Sequence, residues 1–167
     1  MNVQNKVISR EISEYLWRAG KTVSTAESCS AGLVSSSIAA LPGASTYFRG
    51  GVVVYTNELK TQLLGVSEEL LAEHGAVSEE CARAMVEGAI EQLHTDYAVA
   101  VTGYAGPGGG PEAKVGTIFV AAGKKGTVEV RMLSGDHGRE ENVARACLVA
   151  LQILLETLKN DFPLTEE

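Results

Sequence analysis

Cysteine is scarce in this chain: its 167 residues include three, Cys29, Cys81 and Cys147, and no two of them form a CxxC motif. An odd number of dispersed cysteines fits free thiols in a reducing compartment better than it fits a disulfide framework. The three histidines show no HxxxH spacing either. The sequence therefore predicts no metal site.

Long apolar runs and basic clusters are also missing. No stretch approaches the roughly 20 apolar residues that span a bilayer, and the start, MNVQNKVISREISEYL, lacks the apolar segment of a signal peptide. The net charge of −7 disfavours nucleic acid and anionic membranes as partners, because both select for clustered Lys and Arg. We therefore expect a cytoplasmic protein whose ligand is a small molecule, which can still be anionic.

The residues that are present indicate a globular α/β protein. A hydrophobic content of 45% is ordinary for such proteins, and we find no repeat or linker, so residues 1–160 are predicted as one domain with a frayed tail at 161–167. Apolar periodicity predicts helices and strands in alternation. Helices are expected at 4–18, 31–41, 78–93 and 139–159, and strands at 21–25, 51–56, 97–102, 116–122 and 127–133. This order predicts a three-layer α/β/α sandwich with a mixed, mostly parallel sheet. The β-branched run GVVVYT predicts that strand 51–56 is buried on both faces.

Polar residues follow an apolar run abruptly at three places, TAES, YTNELK and TGYAG. In open α/β sheets, ligands bind at the carboxyl ends of the strands. At the first place, Ser28 and Ser30 begin a helix, where they either bind an anion or simply cap the helix. Cys29 is interpreted as a buried structural thiol rather than a nucleophile, because no histidine is placed to activate it.

The second place combines Ser45, Tyr55 and Lys60. A serine hydroxyl needs a base, and a lysine whose pKa is lowered by burial can act as one. Alternatively, Lys60 is a solvated helix residue and Ser45 an ordinary turn residue.

The third place, TGYAGPGGG, brings glycine-rich backbone after Thr102, which suits close approach to a ligand. It matches neither a P-loop nor the GxGxxG fingerprint, and a flexible loop is the alternative. In SGDHGR, Arg139 can bind a phosphate through paired N–H groups, or pair with neighbouring glutamates. His137 in the same segment is interpreted as a solvated turn residue.

Taken together, the segments TAESCSAG, PGAS, GVVVYTNELK, LGVS, HGAVS, AVAVTGYAGPGGG, KVGT and SGDHGR resemble the CinA C-terminal domain family, the nicotinamide-nucleotide amidases. They occur in order over nearly the whole chain, which makes the match specific. The resemblance implies hydrolysis of nicotinamide mononucleotide to nicotinate mononucleotide and ammonia, without metal or redox cofactor. It also identifies the chain as similar to free-standing members of the family.

The family's functional positions fall on Ser28, Gly43, Ser45, Tyr55, Lys60, Thr102 and Arg139. The resemblance implies Ser45 as nucleophile, Lys60 as base and Tyr55 as the residue that orients the lysine or relays its proton, with Ser28 as the alternative nucleophile. Thr102 and the amides around Gly43, Gly103 and Gly106 would hold an oxyanion or phosphate, and Arg139 would bind the phosphate.

Three departures from the family pattern bear on function: AESCSAG replaces AESCTGG, GAS replaces GSS, and PEAKVG lacks a proline before valine. They leave open a catalytically inactive paralogue that binds nucleotides or takes part in competence and damage responses. A serine hydrolase of another amide or ester is a third hypothesis. A homodimer is expected from the apolar helix faces.

Overall fold

The computed structural model describes residues 3–163, and within them the chain forms six α-helices and five β-strands. The elements, in chain order, are α1 (Val3–Ala19), β1 (Val23–Glu27), α2 (Leu33–Ala39), β2 (Phe48–Val53), α3 (Asn57–Leu64), α4 (Glu68–His74), α5 (Glu79–Leu93), β3 (Tyr97–Gly103), β4 (Ile118–Lys124), β5 (Thr127–Leu133) and α6 (Arg139–Asp161). None of the helices in this described range is both long and apolar enough to cross a bilayer.

The strands form one mixed sheet in the order β2-β1-β3-β4-β5. β1 lies parallel to both β2 and β3, whereas β4 is antiparallel to β3 and β5. The predicted α/β fold with a mixed sheet is confirmed. The GKKG turn joins β4 to β5 as predicted, because Lys125 and Gly126 are flanked directly by the two strands.

Both faces of the sheet are covered by helices, and β3 shows why the sequence permits this. Its larger side chains, Tyr97, Val99 and Val101, enter one core with α1, α2 and α6. Its alternate residues, Ala98 and Ala100, enter the other core with α3, α4 and α5. Because neighbouring residues of a strand point to opposite faces, a continuous apolar run is needed where both faces are buried.

Helix boundaries follow capping chemistry. Ser67 and Ser78 accept hydrogen bonds from Leu70 N and Cys81 N, which begins α4 and α5. Gly65 ends α3 in a left-handed conformation with φ 68°, a geometry that glycine adopts without a steric penalty. These local signals make the lengths of the helices predictable from the sequence.

The strand predicted at 51–56 is misplaced. It begins at Phe48 and ends at Val53, and it is an edge strand rather than one buried on both faces. Its residues alternate between partly buried and exposed positions, because only one strand neighbours it in the sheet. Of the predicted frayed tail, Asp161 still belongs to α6, and residues 164–167 lie outside the described residues.

β1 is the point at which the chain switches faces. The connection from β1 to β2 passes through α2 on one side of the sheet, and the connection from β2 to β3 passes through α3, α4 and α5 on the other. The carboxyl ends of the parallel strands β1, β2 and β3 therefore lie at one edge of the sheet, and the connections that leave β1 and β2 go to opposite faces. Ligands bind at such an edge in open α/β sheets.

Candidate active site

A cavity of about 310 Å³ opens at this edge of the sheet. Its walls come from the segments that follow the three parallel strands, together with the turn before α5 and the start of α6. The lining residues are Ser28, Cys29, Tyr55, Asn57, Lys60, Ala76, Val77, Thr102, Gly103, Tyr104, Ala105, Gly106, Gly108, Glu112 and Arg139. The three junctions predicted from the sequence thus meet at a single site, and Arg139 joins them.

Ser28 and Lys60 form the centre of the cavity. Lys60 Nζ lies 3.2 Å from Ser28 Oγ and donates a hydrogen bond of 2.9 Å to the Val54 carbonyl. The register of the sheet explains this meeting, because Val54 N bonds to Glu27 O across β1 and β2. Ser28 directly follows β1, and Lys60 reaches back to it from the first turns of α3.

Lys60 is almost completely enclosed, with 2% of its surface exposed. Burial lowers the pKa of Lys60 below its ordinary value, whereas the nearby Cys81 and Cys29 oppose that shift. No carboxylate neutralises the amine through an ion pair in the part of the chain that the structure describes. Desolvation favours the neutral amine, which is the form that accepts a proton from a hydroxyl.

Glu27 holds the turn that presents Ser28. It is fully buried, and within the described residues its carboxylate accepts five hydrogen bonds, at 2.7–3.1 Å, from Ser30 Oγ, Gly32 N, Val34 N, Ser35 N and Ser35 Oγ. A carboxylate at the start of a helix is also favoured by the helix dipole. Glu27 therefore fixes residues 28–35 relative to the sheet.

We expect Glu27→Gln to destabilise the protein by about 2 kcal/mol or more, because an amide NH₂ group would face backbone N–H donors and charge-assisted bonds would be lost. Urea denaturation monitored by circular dichroism measures this as a lower midpoint at unchanged m-value. Glu91→Gln, at an exposed position of α5, is the control and should change stability by less than about 0.5 kcal/mol. Equal midpoints for the two variants would contradict the role of Glu27.

Arg139 and Tyr55 meet on the rim of the cavity. Arg139 donates a hydrogen bond of 2.6 Å to the Gly106 carbonyl and one of 2.9 Å to the Tyr55 hydroxyl. Tyr55 is 52% exposed, and its hydroxyl contacts Arg139 rather than Lys60. The Val54 carbonyl, and not Tyr55, therefore makes the hydrogen bond that orients Lys60.

Thr102 and the glycine-rich loop line the cavity. Thr102 Oγ1 donates a hydrogen bond of 2.7 Å to the Ala76 carbonyl, so its hydroxyl presents an acceptor to the interior and does not offer the donor that the predicted binding of an oxyanion or phosphate by Thr102 requires. Gly103 lies so close to Ile118 that a Cβ would be 2.6 Å from its side chain, and Gly106 has φ 109°. Both positions require glycine for the loop to fold over the site.

Ser45 and Gly43 lie outside the cavity. Ser45 is exposed in a turn of 3₁₀ helix, Ala44–Thr46, that precedes β2, and Gly43 lines a separate groove with Trp17 and Tyr47. The six residues of β2 lie between this turn and the site. At the rise of an extended strand, these six residues span roughly 20 Å. The predicted pairing of Ser45 with Lys60 is therefore wrong within one chain, and Ser28 occupies the position beside the amine.

Cys29 and His137 do not contribute activated groups. Burial raises the pKa of Cys29 to about 11, so its thiol stays protonated, in line with the structural interpretation. His137 is exposed, and its backbone N–H donates to Asn142 Oδ1. Among residues 3–163, no group of three or more His, Cys, Asp or Glu side chains is placed to hold a metal ion.

Four contributors to the site are not predicted from the sequence: Glu27, the Val54 carbonyl, Asn142 and the Tyr104–Glu112 pair. Asn142 donates to the Ala105 carbonyl and to Asp136, which fixes the glycine-rich loop against the turn before α6. An acidic residue directly before a predicted helix was an available signal for Glu27. A main-chain carbonyl such as that of Val54 leaves no signal in a sequence.

A model of the CinA C-terminal domain matches residues 5–158. The chain belongs to the CinA C-terminal domain family. It is 48% identical over 142 residues to a CinA-like protein of Mycolicibacterium gilvum, a match that covers 84% of this chain and 34% of that protein. With a CinA-like protein of Gloeobacter violaceus, the identity is 49% over 129 residues, covering 75% of this chain and 30% of the other. The chain thus spans about a third of the length of these curated relatives.

Solved structures of CinA proteins share the fold. The competence/damage inducible protein CihA of Agrobacterium tumefaciens superposes with a TM-score of 0.90 at 37% identity, covering 94% of this chain and 97% of that one. A CinA superfamily protein of Klebsiella pneumoniae gives 0.89 at 32% identity, covering 96% and 99%. The α/β/α sandwich is therefore a fold that these CinA proteins share.

Proposed function

We propose that this chain hydrolyses the carboxamide of nicotinamide mononucleotide to the acid and ammonia, with Ser28 as the nucleophile and Lys60 as its base. One observation carries the proposal: a buried lysine, without an ion-pair partner among the described residues, lies 3.2 Å from a serine hydroxyl inside a cavity. A buried amine of lowered pKa is the kind of group that activates a serine.

The proposed reaction has two stages. In the first, Ser28 Oγ attacks the carboxamide carbon while Lys60 Nζ takes the hydroxyl proton; the C–N bond then breaks, and Lys60 returns the proton to the departing amine, which leaves as ammonia. In the second, Lys60 takes a proton from water, the water oxygen attacks the ester, and the acid is released as Ser28 regains its proton. The Val54 carbonyl holds Nζ beside Ser28 throughout.

Two features support a phosphorylated nucleotide as substrate. Arg139 lies on the rim, where its planar group offers further N–H donors of the kind that bind phosphate in pairs. The resemblance of the chain's motifs to the nicotinamide-nucleotide amidases supplies the identity of the amide, and membership of the CinA family agrees with it.

The direct test is ammonia release from nicotinamide mononucleotide by the purified chain. In H₂¹⁸O we expect one ¹⁸O atom in each nicotinate mononucleotide formed, in a one-to-one ratio with ammonia. Nicotinamide alone, which has the amide but no phosphate, is the matched control substrate and should react far more slowly. Tight nucleotide binding in calorimetry without turnover would instead favour the inactive, nucleotide-binding paralogue.

Arg139→Ala should raise KM for the phosphorylated substrate by about tenfold or more, the loss expected for hydrogen bonds to a charged group. Arg139→Lys keeps the charge but not the paired donors, and its KM should lie in between. Steady-state kinetics with nicotinamide riboside, which lacks the phosphate, provides the control. If Arg139→Ala raises KM for the riboside as much as KM for the nucleotide, Arg139 does not bind the phosphate.

A further inference from the structure

The rim of the cavity carries a second charged group, of opposite sign to Arg139. Glu112 lies in the glycine-rich loop and lines the same cavity as Ser28 and Lys60. Its carboxylate accepts a hydrogen bond from the Tyr104 hydroxyl, and Tyr104 also lines the cavity. The mechanism proposed above uses neither residue.

The fold fixes the position of this pair on both sides. At Gly75 a Cβ would lie 2.2 Å from Glu112 Cγ, so the glutamate stem lies directly on the backbone of the turn before α5. At Gly110 a Cβ would lie 2.0 Å from the Tyr104 hydroxyl, so the tyrosine occupies the space that glycine leaves. Tyr104 is itself held by backbone hydrogen bonds to Thr117 and Gly116, at 3.0 and 2.7 Å.

The charge of Glu112 acts on the interior as well as on solvent. Burial raises the pKa of Cys81, a residue close to Lys60, to about 11, and the Glu112 carboxylate contributes in the same direction. Burial and then the bond to Glu112 raise the pKa of Tyr104 to about 12, so its hydroxyl keeps the proton that it donates. The cavity lining thus carries the carboxylate of Glu112 as well as the guanidinium of Arg139.

We infer that Glu112, held by Tyr104, is a specificity-determining residue that recognises a cationic heteroaromatic ring in the substrate. The inference rests on the proposed function. A pyridinium nucleotide carries a positive ring nitrogen and a negative phosphate, and the cavity has a carboxylate and a guanidinium on its rim to match. An aromatic face such as that of Tyr104 also attracts a cationic ring.

Two ligands that differ in ring charge test this inference: nicotinamide mononucleotide, with a cationic ring, and its 1,4-dihydro form, with a neutral ring. Both carry the same amide, ribose and phosphate. Dissociation constants are measured by calorimetry in a Ser28→Ala background, where no turnover disturbs binding. Glu112→Gln should raise the dissociation constant of the cationic ligand by about fivefold, as for a solvent-screened ion pair. The dissociation constant of the neutral ligand should change by less than about 1.5-fold.

Tyr104→Phe, which frees the carboxylate, should weaken the cationic ligand to a smaller extent, and Glu91→Gln removes one negative charge outside the cavity as the matched control. An equal effect of Glu112→Gln on both ligands, or no effect on either, overturns the inference while leaving the proposed hydrolysis intact. If neither ligand binds the Ser28→Ala protein with Glu112 intact, the proposed function and this inference fail together.

Discussion

Replacing Ser28 with alanine is expected to lower kcat for carboxamide hydrolysis by about a thousandfold or more, with little change in KM, as for other serine nucleophiles. The reason is geometric: Ser28 Oγ is the hydroxyl that lies 3.2 Å from the buried Lys60 amine. Ammonia release under saturating substrate measures the loss. The circular dichroism spectrum and urea midpoint should stay close to those of the parent, because a single hydroxyl is removed.

Ser45→Ala is the comparison that distinguishes the two serines of the sequence hypothesis. Ser45 lies in the exposed turn before β2, far from Lys60 in the same chain, and its replacement should cost far less activity than that of Ser28. A larger loss from Ser45→Ala than from Ser28→Ala would reject Ser28 as the nucleophile.

Lys60→Met is expected to lower kcat/KM by about a thousandfold as well, since the serine would lose the base that accepts its proton. The double variant Ser28→Ala/Lys60→Met should be no slower than the worse single variant, because two residues that act as a unit show non-additive losses. Methionine has a similar shape and fills the apolar volume around the amine, so the fold should be retained. Additive losses would show that the two residues act independently.

The pH dependence of the same variant provides a second measurement. Because Lys60 must be neutral to accept a proton, kcat/KM of the parent should rise with pH until the lowered pKa of Lys60 is passed. Between that pKa and the ordinary lysine value of about 10.4, Lys60 binds more protons in the unfolded chain than in the folded one, whereas the buried thiols of Cys29 and Cys81 shift in the opposite direction. The contribution of Lys60 to the free energy of unfolding should therefore increase with pH across this window.

Lys60→Met should remove this contribution, so that the difference in unfolding free energy, parent minus variant, increases with pH, and it should remove the rising limb from any residual activity. A difference that does not change with pH in this range would show that the amine is not desolvated as the structure indicates. Denaturant titrations at several pH values provide the comparison, with Lys125→Met, in the exposed β4–β5 turn, as the matched control.

Much of the fold follows from local sequence patterns. The β-branched and alanine-rich run of β3, the serine caps of α4 and α5, and the GKKG turn each specify an element by short-range chemistry. The placement of β2 did not follow, because a run of valines fits a central strand and an edge strand equally well. Which neighbour covers it depends on the path of the whole chain.

The candidate site, like the fold, was predictable from the sequence only in part. Three polar junctions after apolar strands predicted where ligand-binding residues gather, and Lys60, Ser28, Thr102 and Arg139 do line one cavity. The choice between Ser28 and Ser45 was not available from spacing, since both lie near strands that neighbour each other. Strand direction decides it: Ser28 follows β1, whereas Ser45 precedes β2. The homodimer expected from the sequence stays a prediction.

Patterns in the sequence are enough to predict the layered α/β architecture, the family and the residue types that the chemistry needs. Which of these residues touch is known only from the folded chain: Lys60 is enclosed and bonded to the Val54 carbonyl, Glu27 fixes the Ser28 turn, and Glu112 lines the same cavity as Arg139. Burial and strand register set both pKa and distance, and both depend on residues far apart in the chain.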